Sequence, residues 1–212
     1  GLLRDGWVTH LATNGAGIIH DWEFAYQGKS SEDVRKNTAS GRFGLWAETG
    51  FHLNLALALG AYRGLGYGES VGRLICEEGH QIPSRDALRA AVSAVTTPAE
   101  AARAAAAADL LGLLERCGIG SGWRSVPHAW KRYSAQAAAF EAGIPFTGHP
   151  MFGHDIIYTS PVSCGAAVGR TAERDFLAFA QQIADLEGGV YLSVGSAVMS
   201  PLILEKSMAM AQ

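Results

Sequence analysis

The chain has 212 residues, of which 48% are hydrophobic and 17% charged, and a formal charge of -3. That balance is typical of a folded globular protein and excludes the strong positive charge that draws nucleic acid or anionic membranes. No apolar run approaches the ~18 residues of a membrane span and no leader with a cleavage site reads at the start, so a single cytoplasmic domain over residues 1–212 is expected.

In chain order, Leu2, Leu3 and Arg4 read as the last turn of a helix closed by Gly6, and the missing Met suggests a truncated start. The run WVTHLAT, Trp7 to Thr13, has strand composition and is bounded by NGAG. Ile18, Ile19, Trp22, Ala25 and Tyr26 then recur at helical spacing, with Gly28 as the stop. KSSEDVRKN supplies a Ser cap and an acidic first turn for a short second helix. A long amphipathic helix is predicted from Leu45 to Arg63, with Leu53, Leu57 and Ala61 on one stripe.

From Glu69 to Gly143 the pattern predicts helix after helix. Pro98 at a first turn and Gly118 after a last turn frame one of them, and the run Ala104 to Ala108 fits a packed helix, since Ala has the best helix propensity. A strand near Ile144 to Thr147 then runs into a loop rich in Gly, His and Asp. A helix follows, and GGVYLSVGSAV closes the series as a strand, a small-residue turn and a further helix. Three strand-loop-helix units predict a Rossmann-like α/β fold, a parallel sheet with helices on both faces and a helix-rich middle. Ligands of such sheets bind beyond the carboxyl ends of the strands, so NGAG, GHPMFGHD and SVGSAV are expected to share one rim.

Small residues at Asn14, Gly15, Ala16 and Gly17 let backbone amides approach a phosphate at a helix start, although neither GxGxxG nor GxxxxGK[ST] is present; a plain tight turn satisfies the same residues. His20, His149 and His154 are candidates for acid–base chemistry. With Asp21 and Asp155 they could also ligate a divalent metal. Cys76, Cys117 and Cys164 lack CxxC spacing and read as free thiols. Cys164 is either a nucleophile at a helix start or a small buried thiol. Trp22, Trp46, Trp123 and Trp130 read as core or subunit-interface anchors.

LATNGAGIIHD, IPFTGHPMFGHDIIY and GGVYLSVGSAV together resemble three strand-end motifs of the deoxyhypusine synthase family, namely its TTAGGVEED turn, its IP…GSLGD segment and its GGGVV strand end. Those enzymes use NAD to move an aminobutyl group from spermidine to a protein lysine. The likeness is closest to a bacterial branch of deoxyhypusine-synthase-like proteins. It implies NAD as cofactor, a small amine or similar small molecule as substrate, and a homodimer or homotetramer. By position it implies cofactor contacts from Asn14, Gly15, Ala16, Gly17, Asp21, Asp155, Gly195 and Ser196, with His20, His149 and His154 lining the reacting pocket. His20 stands where the family has a polyamine-binding glutamate. Met199, Ser200 and Pro201 replace a Lys-His-His run, and no lysine occupies a matching imine-forming motif, so deoxyhypusine itself is not the expected product. The apolar helices 45–63 and 101–116 are the expected subunit contacts. A metal-dependent hydrolase and a non-catalytic oligomeric ligand-binding module are the alternative functions.

Overall fold

A computed structural model describes residues 1–41, 44 and 46–211; Leu45, the expected start of the long helix, lies outside them. The elements are, in order, β1 (Leu11–Asn14), α1 (Gly15–Gln27), α2 (Val34–Ala39), α3 (Ala47–Arg63), α4 (Tyr67–Glu77), β2 (Gly79–Ile82), α5 (Arg85–Ser93), α6 (Pro98–Arg116), β3 (Gly122–Ser125), α7 (Ala135–Ala142), β4 (Phe146–His149), α8 (Gly165–Ala184) and α9 (Met199–Met210). The chain is therefore α/β and helix-rich, with two small sheets.

β1 and β4 pair in parallel, Leu11 opposite Phe146 and Asn14 opposite His149. Alternate side chains of a strand face opposite ways. One face of β4 presents Thr147 and His149, with Phe179 of α8 edge-on to His10 and His149 at centroid distances of 5.5 and 5.4 Å. On the other face Gly148 is crowded by Ile18 of α1 and Tyr67 of α4. Helices thus cover both faces of the pair, as expected of a parallel sheet.

The Rossmann-like sheet with three strands at one rim does not form among the described residues. Gly189–Val194, the expected third strand, has no ladder partner and leaves Val190, Leu192 and Val194 79, 80 and 92% exposed. Strand composition alone does not make a strand, because its N–H and C=O groups need a neighbouring edge. A second correction lies in the middle of the chain, which is not helical throughout. β2 and β3 form an antiparallel pair, His80 opposite Arg124, four residues each and too short for a period-2 signal.

α3 sits at the centre rather than at a surface. Leu53, Ala56 and Leu57 belong to one core cluster with Ile18, Trp22, Tyr67 and Ile75. Leu55, Ala58, Leu59 and Ala61 belong to a second with Leu88, Leu110, Leu113 and Leu114. A helix that is apolar all round is enclosed by its neighbours, here α4, α6 and α8, and the single stripe read from sequence underestimates it. This helix cannot be the expected subunit contact. Trp22 is fully buried as a core anchor, whereas Trp123 and Trp130 are 53 and 41% exposed.

Local signals place the helix ends well. α1 stops at Gly28, φ +72°, and an added Cβ there would press on the ring of Trp130. At the chain start the expected helix end is a hydrogen-bonded turn instead: the Trp7 N–H donates to the Leu2 carbonyl at 3.0 Å and Gly6 has φ +75°, but residues 2–6 form no helix. α6 opens with Pro98 behind a reciprocal capping box between Thr97 and Glu100, packs Ala104, Ala106 and Ala107 inward, and ends before Gly118 at φ +62°. Thr97→Ala is expected to lower stability by about 1 kcal/mol, read as a shift of the urea midpoint at unchanged slope; no shift would mean that the cap is solvated without loss.

Candidate functional site

β1 runs into α1 without an intervening loop. Asn14 ends the strand and caps the helix, its Oδ1 accepting from the Gly17 N–H at 2.9 Å. NGAG is therefore a helix start, not an open glycine turn. Across the sheet β4 ends at His149, and the following turn, Met151 to Asp155, folds back so that the carboxylate of Asp155 lies against Gly15. A Cβ at Gly15 would land on that carboxylate, and one at Gly17 on the hydroxyl of Thr13. Both glycines are thus required by internal packing, whatever ligand is present.

Asp155 is 8% exposed. Its Oδ2 accepts from the Met151 N–H at 2.8 Å and the Tyr158 hydroxyl at 3.0 Å. Its Oδ1 has the Nδ1 of exposed His154 at 3.8 Å. An anion at a helix N-terminus offsets the positive end of the helix dipole, so the protein already holds a negative group where a phosphate was expected. Burial and the neighbouring carboxylate push the Tyr158 hydroxyl above its ordinary range. Fully buried Tyr67, with Tyr158, Asp155 and Asp175 around it, is likewise raised, first by burial. Phe152, 58% exposed, stacks on Tyr158 with ring centroids 4.6 Å apart.

His149 lies beside this rim. Its Nε2 is 3.1 Å from the Thr147 hydroxyl, which is also 2.9 Å from Nε2 of His10. Burial lowers both imidazoles to about 4, so they are neutral at neutral pH. Asn14, Gly15, Ala16, Gly17, His149, His154 and Asp155 are therefore gathered where β1 and β4 end.

The remaining candidates do other work. Asp21 points toward α7, accepting from the Ser134 hydroxyl (2.6 Å), the Ala135 and Gln136 N–H groups (2.8 and 3.2 Å) and the Gln136 amide (2.9 Å). It caps a helix instead of touching a cofactor. His20 lies on the exposed side of α1 against Ser30, and Ser30 donates to buried Glu23 at 2.8 Å. Gly195, φ +70°, has open space about its α-carbon, and Ser196 accepts from the Ser200 N–H at 3.0 Å at the start of α9. Both lie on the exposed segment, because the strand that would have carried them to the rim is absent.

Sequence reading missed Asp175, Tyr67, Tyr158 and His10. Asp175 carried a signal: it stands one turn before Phe179 on α8, both buried, an acid on an apolar stripe. The other histidines form a separate group. His52 Nδ1 is 3.2 Å from His80 Nε2, and His52 and His128 each lie about 6 Å from both Trp22 and Tyr26. Among the described residues no three His, Cys, Asp or Glu side chains come together as a metal ion requires, which leaves the hydrolase alternative without a centre. All three cysteines are half-buried free thiols. A groove of about 590 Å³ between Leu3–Thr9 and Ala142–Pro145 lies at the opposite ends of the strands, where β1 and β4 begin.

Fold and rim together define a helix-rich α/β protein with a parallel strand pair and a carboxylate-lined strand-end site. No protein-family model matches the sequence, and neither a curated protein nor a solved structure matches it. No helix of the described residues is long and apolar enough to cross a membrane.

Proposed function

We propose that the protein is deoxyhypusine-synthase-like and binds NAD or a related nucleotide where β1 and β4 end, acting on a small amine or similar substrate. The observation that carries this reading is the placement of the buried Asp155 carboxylate against Gly15, between two parallel strand ends and beside His149 and His154. A carboxylate near the first helix of a parallel sheet suits ribose hydroxyls. It repels pyrophosphate. The nucleotide is therefore held mainly through its ribose, with Asn14 and the first turn of α1 alongside. The nicotinamide would supply hydride chemistry; the exposed imidazole of His154, beside Asp155, can exchange a proton with substrate. His149, kept neutral by burial, positions the strand end through Thr147.

Thermal shift against NAD, ADP-ribose, adenosine and spermidine tests the reading. A ligand at a hundred times its dissociation constant adds about 2.7 kcal/mol. NAD and adenosine are expected to stabilise the chain and inorganic pyrophosphate is not. Asp155→Asn should abolish the nucleotide shift while keeping the circular dichroism spectrum. No response to any nucleotide at millimolar concentration would overturn the assignment.

A further inference from the structure

The turn that ends in Asp155 also carries an exposed aromatic ring. Three hydrogen bonds close it: the His154 and Asp155 N–H groups donate to the Met151 carbonyl at 3.1 and 3.3 Å, and the Met151 N–H donates to Asp155 Oδ2 at 2.8 Å. Gly153, at φ +82°, lets the chain reverse just after Phe152. The Phe152 ring is held from two sides. One face lies on Tyr158 at an interplanar angle of 22°, and a Cβ at Gly165, the first residue of α8, would stand 3.8 Å from its edge. More than half of Phe152 stays exposed, which leaves the second face of the ring to solvent. The Tyr158 hydroxyl beneath it donates to Asp155, so the open face stands one tyrosine ring away from the carboxylate assigned to the ribose.

We propose that Phe152 is the platform on which the base of the bound nucleotide stacks, so that the site selects an intact nucleoside over a bare sugar. The inference rests on the nucleotide reading of the rim and adds to it the part of the ligand that decides affinity. Between Glu141 and Arg170 the chain holds no lysine or arginine and no acid other than Asp155. Beyond the ribose hydroxyls, this stretch can therefore offer a nucleotide apolar contact and not charge. The apolar parts of a nucleotide are the faces of its base, and any base presents a π face to an aromatic ring. A ring already fixed by Tyr158 and Gly165 loses little freedom when the base arrives. Tyr158 is the positioning residue: it carries the Phe152 ring on its face and Asp155 on its hydroxyl, and so sets the base platform relative to the ribose carboxylate.

Titration of the whole chain with adenosine and with ribose, followed by calorimetry and by the NMR signals of the adenine protons, tests it. Adenosine is expected to bind at least ~10-fold more tightly than ribose, the worth of one stacked base, with its adenine protons moved upfield by the ring current of Phe152. Phe152→Leu keeps an apolar side chain on Tyr158 but removes the π face. It should lower adenosine affinity about tenfold and abolish the upfield shift, with ribose binding and the circular dichroism spectrum unchanged; Phe152→Trp should restore both. Equal binding of adenosine by the native chain and Phe152→Leu, or adenine protons that do not move, would overturn the platform and leave the ribose site standing. A native chain that binds neither adenosine nor ribose would overturn the nucleotide reading and this inference with it.

Discussion

Acidification from about pH 7 to about pH 4.5 is expected to unfold the protein. Burial lowers His10, His52, His128 and His149 to about 4 and His80 to about 3. The field around His52 and His80 deepens the effect: Arg124 opposes protonation of both and Arg63 that of His80, while Glu48 favours it at His52. At His128 a hydrogen bond with the Val126 backbone and then Glu78 favour the charge, while His52 and Lys131 oppose it. A histidine whose folded value lies below its unfolded one stabilises the fold above the unfolded value, near 6.5. That contribution is lost as pH falls toward 4, where the unfolded chain takes up protons and the folded chain does not. Each such proton is worth about 1.4 kcal/mol per pH unit. The half-exposed His10 and His52 contribute less than the three buried rings, and the His52–His80 pair titrates as a unit. Asp175 works in the opposite sense: burial raises it to about 7, so its contribution is lost as pH rises from about 4 to 7. The histidines outnumber it. A net loss of about 5 kcal/mol over two pH units is comparable with the whole stability of a typical domain. Melting temperatures followed by circular dichroism from pH 7.5 to 4 are the check; a flat profile would refute the buried, neutral histidines. His128→Phe should flatten the profile by about one proton.

The second large effect is expected at Asp175. This carboxylate reaches from α8 to accept the Gly68 N–H at the start of α4 at 2.9 Å and the Gly148 N–H of β4 at 2.6 Å, so a single side chain joins two helices and a strand. Asp175→Ala leaves at least two buried N–H groups unpaired, each costing about 1–3 kcal/mol; a loss of roughly 3 kcal/mol or more is expected. Asp175→Asn, with one acceptor oxygen, should fall between. Gly68→Ala probes the same junction from the other side, since its Cβ would land on the carbonyl oxygen of Phe146, and backbone cannot swing away as a side chain can. Urea denaturation of the three variants decides. If Asp175→Ala lost under 1 kcal/mol, the N–H groups would have found other partners.

The sequence made legible what depends on neighbours within a turn or two: the Gly28 stop, Pro98 at the first turn of α6 and the apolar spacing of α1, while β1 and β4 end one and two residues beyond the expected Thr13 and Thr147. It did not make legible what depends on partners far along the chain. His80 and Arg124 pair across more than forty positions, and four-residue strands leave no period. Gly189–Val194 has a strand's composition but no edge to use it on. Asp21 read as the end of a cofactor turn because only the fold brings the start of α7 to it. At the rim, NGAG correctly marked a strand-to-helix junction, yet the reason for its glycines is the carboxylate of Asp155 and the hydroxyl of Thr13, which no local pattern contains.

The parallel pairing of β1 and β4 also dictates an order of assembly. His10 and Thr147, hydrogen-bonded in the finished fold, are separated by 137 positions. Closing so long a loop is an entropic step that no local contact assists. By contrast α3 packs against α4, and α5 against α6, over short separations. During synthesis the helical middle can therefore form before β4 leaves the ribosome, and β1 waits with one strand edge unmatched until the last third of the chain arrives. Folding of the complete chain should accordingly show a fast helical phase followed by a slower one in which Asn14 meets His149 and the strand-end rim comes into being.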